Sequence, residues 1–171
     1  DIFLDLKFHD IPSTVAQSVK IASNLGVWML NVHTSGGSIM MKAAKEATTG
    51  LVDPPLIIGV TMLTSLSEKD VNEIGIQGIS SQVLSLASLA KKNFLDGVVC
   101  SANDIIGVKE LLGKDFVTVT PGIRSSNSSK DDQSRVSSAR NAIEKGADYL
   151  VIGRPITKST NPMESLDSII K

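Results

Sequence analysis

An aspartate, a lysine and a second aspartate stand at Asp5, Lys7 and Asp10. Residues 2–7, Ile-Phe-Leu-Asp-Leu-Lys, read as a short buried strand. Alternation then places Asp5 and Lys7 on one face above Phe3, with Leu4 and Leu6 on the other, apolar face. A carboxylate and an ammonium side by side at the end of a buried strand are costly unless a function holds them there. Asp10, just beyond the strand, brings a second negative charge to the same ammonium. Flanking carboxylates favour the charged form of a lysine. Such a lysine is a poor base and a poor Schiff-base nucleophile, but it suits the stabilisation and protonation of a developing carbanion. The bare spacing also fits a solvated salt bridge. The continuation Ile11-Pro12-Ser13-Thr14 and the strand-end position tip the reading toward chemistry.

A second group of residues suits an anion. Pro121-Gly-Ile-Arg124 and Gly153-Arg154-Pro155 each pair glycine with arginine just after a strand. Glycines expose backbone N–H groups and an arginine adds a bidentate grip. Gln133, in the polar stretch Ser125 to Ser134, can reach over as a neutral donor. Each arginine alone resembles an ordinary loop residue; their places after successive strands make the pair informative. Thr64, in Thr61-Met-Leu-Thr64-Ser65, offers a hydroxyl to the edge of a heterocycle, or caps the next helix. Asn31 and His33 share a face at the mouth of the second strand, where a histidine reads as a hydrogen-bonded neighbour of the site. Cys100 reads as a packed core thiol and His9 as exposed. With only these two histidines and one cysteine, a zinc site is not expected.

The elements that must position these groups alternate regularly. Strands are expected at 2–7, 27–33, 56–62, 97–100, 116–120 and 149–153. Helices are expected from Pro12 to near Gly26, from Ser38 to Ala47, in a short turn capped by Ser67, from Ser80 to Ala90, from Asp104 to near Gly113, through Val136, Ala139 and Ile143 to Gly146, and from Met163 to Ile170. No hairpin signal joins neighbouring strands, so the units are parallel β/α units. An open doubly wound sheet and a (β/α)₈ TIM barrel compete. No G-x-G-x-x-G follows the first strand, and polar residues gather at the C-terminal ends of all six, as a barrel mouth requires. The expected fold is therefore α/β, a TIM barrel lacking its first two βα units, as one domain over residues 1–171. Phosphate in such barrels binds after strands seven and eight, here the loops at Arg124 and Arg154. The polar stretch Ser125–Ser134 has the composition of a mobile lid.

Composition narrows the function classes. The 171 residues carry 17 basic and 18 acidic side chains and are 42% hydrophobic. That near-neutral balance advertises neither nucleic acid nor a membrane surface, and aromatic residues are too few for stacking on single strands. No apolar run reaches membrane-spanning length. A single cysteine excludes an internal disulfide and fits a reducing, cytoplasmic setting. The sequence opens at Asp1 and enters a strand at once, so an N-terminal piece is expected to be missing.

Asp5-Leu-Lys7-Phe-His9-Asp10-Ile11-Pro12-Ser13-Thr14, Val60-Thr-Met-Leu-Thr64-Ser65, Thr120-Pro-Gly-Ile-Arg124, Gln133 and Val151-Ile-Gly-Arg-Pro155 together resemble the bacterial-type orotidine 5'-phosphate decarboxylase family. The resemblance implies cofactor-free decarboxylation of orotidine 5'-phosphate to UMP, with no metal. Lys7 would protonate C6 of the pyrimidine and Asp5 would crowd the substrate carboxylate. Asp10 and Thr14 would serve the neighbouring subunit's site in a homodimer, and Ile11 would contact the substrate. Thr64 would lie by the pyrimidine, and Pro121, Arg124, Gln133, Gly153 and Arg154 would line the phosphate side. The family's array also uses an Asp and a Lys upstream of Asp1, without which the fragment is expected to be inactive. Two alternatives remain. A metal-dependent 3-keto-hexulose-phosphate synthase shares Asp-x-Lys-x-x-Asp, but Ile11-Pro12-x-Thr14 and Pro-Gly-Ile-Arg argue against it. The other is an inactive phosphate-binding barrel fragment.

Overall fold

The computed structural model describes residues 1–124 and 137–170. Six strands, β1 (Phe3–Phe8), β2 (Met29–His33), β3 (Leu56–Val60), β4 (Gly97–Val99), β5 (Val117–Thr120) and β6 (Tyr149–Leu150), form one sheet in the order of the chain. Every neighbouring pair is parallel. A doubly wound sheet would reverse its order at a switch point, and no reversal occurs. The helices between and after the strands are α1 (Pro12–Ser23), α2 (Gly37–Glu46), α3 (Glu68–Glu73), α4 (Ile79–Lys92), α5 (Ile105–Leu112), α6 (Ala139–Glu144), α7 (Arg154–Thr157) and α8 (Pro162–Ile170). None of these is long and apolar enough to cross a membrane.

Strand alternation divides the core into two. Leu30, Val32, Ile57 and Val98 face the helices, packing with Val19, Met40, Met41, Val83 and Ile105. Their neighbours Met29, Ile58, Val99 and Val119 fill the opposite face with Phe3, Trp28, Leu56 and Val117. The sheet curls around this second cluster. Trp28, next to β2, meets Tyr149 of β6 edge to face with ring centroids 4.9 Å apart. In a flat sheet, strands four places apart would be separated by about 19 Å. Curvature of this kind makes the six strands a half-barrel.

The strand bottoms are tied by a device that occurs twice. Asp96, just before β4, accepts the backbone N–H of Ile57 on β3 at 2.8 Å and the Lys45 ammonium from α2 at 2.6 Å. Asp148, just before β6, accepts the N–H of Thr118 on β5 at 2.7 Å and the Lys109 ammonium from α5 at 2.6 Å. Each aspartate thus joins a strand, the helix preceding that strand, and the strand that follows.

Several expectations need correction. β1 is half-exposed rather than buried, because it pairs along one edge only, and Leu6 is 57% exposed. β6 covers only Tyr149–Leu150, since the chain turns away toward Gly153 to start α7, an element not anticipated from the sequence. Asp104 does occupy the N-cap of α5, but its carboxylate accepts from the Ser101 and Ser80 hydroxyls instead of the helix N–H groups. Ser67 caps α3 as expected, in a reciprocal capping box with Asp70. Gln133 and the polar stretch around it lie outside the described residues.

Candidate active site

The C-terminal ends of the strands open on a pocket of about 240 Å³ lined by Phe3, Asp5, Lys7, Val60, Met62, Leu63, Thr64, Val99, Val119, Pro121 and Val151. Eight of these eleven stand two residues apart along a strand or the segment that continues it: Phe3, Asp5, Lys7; Val60, Met62, Thr64; Val119, Pro121. The pocket is therefore the upward continuation of the inner core. Its floor is aliphatic and its polar groups lie at the rim. The sequence reading found Asp5, Lys7, Thr64 and Pro121 and set Phe3 beneath the charged pair, but missed the rest of the apolar lining. The signal for that lining was available in the parity of the strands.

Lys7 Nζ donates to Asp5 Oδ1 at 2.7 Å. The backbone beneath this pair is irregular. Leu4 pairs with Leu30 and Phe8 with Val32, so three residues of β1 (Asp5, Leu6 and Lys7) stand opposite the single residue Asn31. This bulge keeps Leu4 and Phe8 packed against the helix-side core and pushes Leu6 out to solvent. Leu6 was expected on the apolar face with Leu4; the bulge is the reason that it is not. Lys7 itself adopts φ +53°, a left-handed conformation uncommon for residues other than glycine.

His33, two residues past Asn31, stacks near His9 with ring centroids 5.2 Å apart. Burial chiefly holds its pKa below the usual 6.5, the charges of His9 and Lys7 lower it further, and Asp5 opposes them. His33 is thus mostly neutral near pH 7.

Asp10 does not join the Lys7 pair. Its carboxylate turns forward to accept the backbone N–H of Ile11 at 2.6 Å, at the start of α1, and Asp5 is the carboxylate that pairs with Lys7 among the described residues. Asp10, Ile11 and Thr14 are all exposed on the rim outside the pocket. Thr64 is 8% exposed and lines the pocket.

The two arginine-bearing loops leave adjacent strands, since Thr120 of β5 pairs with Leu150 of β6. Gly122 takes φ +79°, and Arg124 N donates to Ser137 O at 2.9 Å. Arg124 Nη1 donates to Ile123 O at 2.9 Å. Its Nη2 is buried with no hydrogen-bond partner among the described residues. A buried charged donor in that condition is expensive, and an anionic ligand would satisfy it. Gly153 and Arg154 form the N-terminus of the short helix α7.

A family model described as "Orotidine 5'-phosphate decarboxylase / HUMPS family" matches residues 1–169. Relatives named orotidine 5'-phosphate decarboxylase include one from Saccharophagus degradans, 52% identical over 99% of this chain and 71% of its own length. Another, from Psychromonas ingrahamii, is 54% identical over 99% of this chain and 73% of its own. The crystal structure of orotidine 5'-phosphate decarboxylase from Lactobacillus acidophilus superposes with a TM-score of 0.84 at 39% identity, covering 99% of this chain and 74% of that one. With its half-barrel, its mouth-facing Asp5–Lys7 pair and this similarity along nearly its whole length, the chain belongs to the orotidine 5'-phosphate decarboxylase / HUMPS family.

Proposed function

We propose that this protein decarboxylates orotidine 5'-phosphate to UMP in pyrimidine biosynthesis, with Lys7 as the proton donor. The observation that carries the reading is the Lys7–Asp5 pair, 2.7 Å apart, at the rim of an otherwise apolar pocket. The substrate's C6–carboxylate bond breaks, CO₂ leaves, and the bonding electron pair stays on C6. The ring does not delocalise that pair. An ammonium already positioned beside C6 stabilises the charge as it forms, then transfers a proton to give UMP. Asp5, a fixed negative charge next to the bound carboxylate, disfavours the reactant and is relieved as CO₂ departs.

Thr64 faces the pyrimidine edge in this reading, while Pro121, Arg124, Gly153 and Arg154, joined by Gln133, hold the phosphate. Binding energy from the remote phosphate then holds the reacting end in its strained arrangement. Asp10, Ile11 and Thr14, exposed on the rim, serve the site of a second subunit in a homodimer. The setting is cytoplasmic and no cofactor takes part.

Loss of the orotidylate absorbance on adding the full-length protein tests the activity. Lys7→Ala is expected to lower kcat by at least about 10³-fold while UMP still binds. Near-normal turnover by that variant would remove Lys7 from the mechanism. The family description also spans the metal-dependent hexulose phosphate branch. Turnover of orotidylate unchanged by a chelator supports the decarboxylase reading; turnover abolished by it points to that branch.

A further inference from the structure

We propose that Asn31 is a positioning residue, clamping the β1 bulge so that the Lys7 ammonium and the Asp5 carboxylate are held together at the pocket rim. The inference rests on the reading of Lys7 and Asp5 given above, and it assigns a role to a residue outside the pocket lining.

Asn31 is fully buried, and its side-chain amide uses both ends on the same short stretch of β1. Its Oδ1 accepts the backbone N–H of Lys7 at 2.7 Å, and its Nδ2 donates to Asp5 Oδ1 at 2.5 Å. The same Asp5 oxygen accepts the Lys7 ammonium. Three residues of β1 stand opposite Asn31, so the regular ladder of N–H and C=O pairs cannot continue there. The asparagine side chain replaces it. Without the Oδ1 acceptor, the Lys7 N–H has lost its partner at a residue already in a left-handed conformation (φ +53°), and the bulge has little to hold its shape. Without the Nδ2 donor, Asp5 Oδ1 keeps only the Lys7 ammonium and can rotate away.

The residue type is specific. A primary amide combines an acceptor and a donor in one short planar group. Aspartate has the shape and the acceptor but not the donor, and when ionised it repels Asp5. Alanine has neither. Asn31 does not itself line the pocket and reaches it through Asp5 and Lys7, so its effect falls on the reacting end of the site and not on ligand capture.

The test compares Asn31→Ala and Asn31→Asp with the parent by two readouts, steady-state decarboxylation and hydrogen exchange at the Lys7 amide. In Asn31→Ala, the Lys7 amide is expected to exchange at least about tenfold faster, and kcat to fall about 10–100-fold with KM and UMP affinity within about threefold. In Asn31→Asp, the amide stays protected because an acceptor remains, yet kcat falls as far or further. Unchanged Lys7 exchange in Asn31→Ala, or kcat within twofold of the parent in either variant, would overturn the proposal. So would a parallel loss of UMP affinity and kcat with a large drop in melting temperature, which marks a merely structural residue. If the parent itself fails to turn over orotidylate, the functional reading fails, and the exchange pattern at Lys7 still decides whether Asn31 is the clamp.

Discussion

Lys7 and Arg154 are expected to fail in different ways when replaced, because one acts on charge that appears during the reaction and the other on charge the ligand already carries. Removing the ammonium costs rate and spares binding. Arg154→Ala, in contrast, is expected to weaken UMP by about 2–3 kcal/mol, the scale of a charge-assisted contact, and to leave uridine affinity nearly unchanged. Equal losses for both ligands, measured by calorimetry, would detach Arg154 from the phosphate. Gly97 shows a different constraint at the scale of one atom. A Cβ there would lie 2.2 Å from the carbonyl oxygen of Val117 on the paired strand, and a backbone atom cannot move aside cheaply. Gly97→Ala should therefore destabilise the fold by about 1–3 kcal/mol, read as a lower denaturant midpoint, without a role in the chemistry.

Between elements, the two aspartate clamps at the strand bottoms hold the helices in register with the sheet while leaving the opposite end free for the pocket. Burial pushes the Asp148 carboxyl up, but the hydrogen bonds from Lys109 and from the Thr118 N–H and hydroxyl outweigh it, so its pKa lies below the ordinary 3.8. A depressed folded-state pKa means that the unfolded chain binds the proton first as pH falls. The clamp's contribution is thus complete above about pH 3.8 and is lost as pH drops through the lower, folded value. Asp148→Asn should cost about 1–2 kcal/mol at pH 7, a figure discounted for the partial exposure of the carboxylate. The gap from the parent should narrow below pH 4, where thermal melts across pH can follow it. A gap that stays constant to pH 2 would show that the carboxylate's charge is not what ties β5 to α5.

For the whole molecule, a curled sheet with one face toward helices and the other toward the pocket leaves Asp10, Ile11 and Thr14 outside their own site, on an exposed rim. In the homodimer proposed above, each site takes Lys7 from one subunit and Asp10 from the other. Lys7→Ala and Asp10→Ala proteins, each inactive alone, should then regain about a quarter of parental activity when mixed in equal amounts, because half the dimers are mixed and each of those has one intact site. Mixtures that stay inactive after subunit exchange would confine each site to a single chain.

Much of this was legible in the order of residues. Alternation of apolar runs with helical spacing is a local property, so six parallel strands and their helices could be read directly, as could the polar groups at the strand ends. The N-cap at Ser67 needs only its own neighbours and was visible for the same reason, although its reciprocal partner Asp70 was not read. What could not be read depends on partners distant along the chain. The Lys7 bulge exists because Asn31, 24 residues away, supplies the donor and acceptor that a strand ladder would have supplied, and no glycine announces it. The exposure of Leu6 and the meeting of Trp28 with Tyr149 likewise follow from how the sheet bends; the turning of Asp10 toward Ile11 is local, and its spacing from Lys7 did not show it. Side-chain type and spacing settled which groups reach the mouth; their distances and partners came from packing one strand against the next.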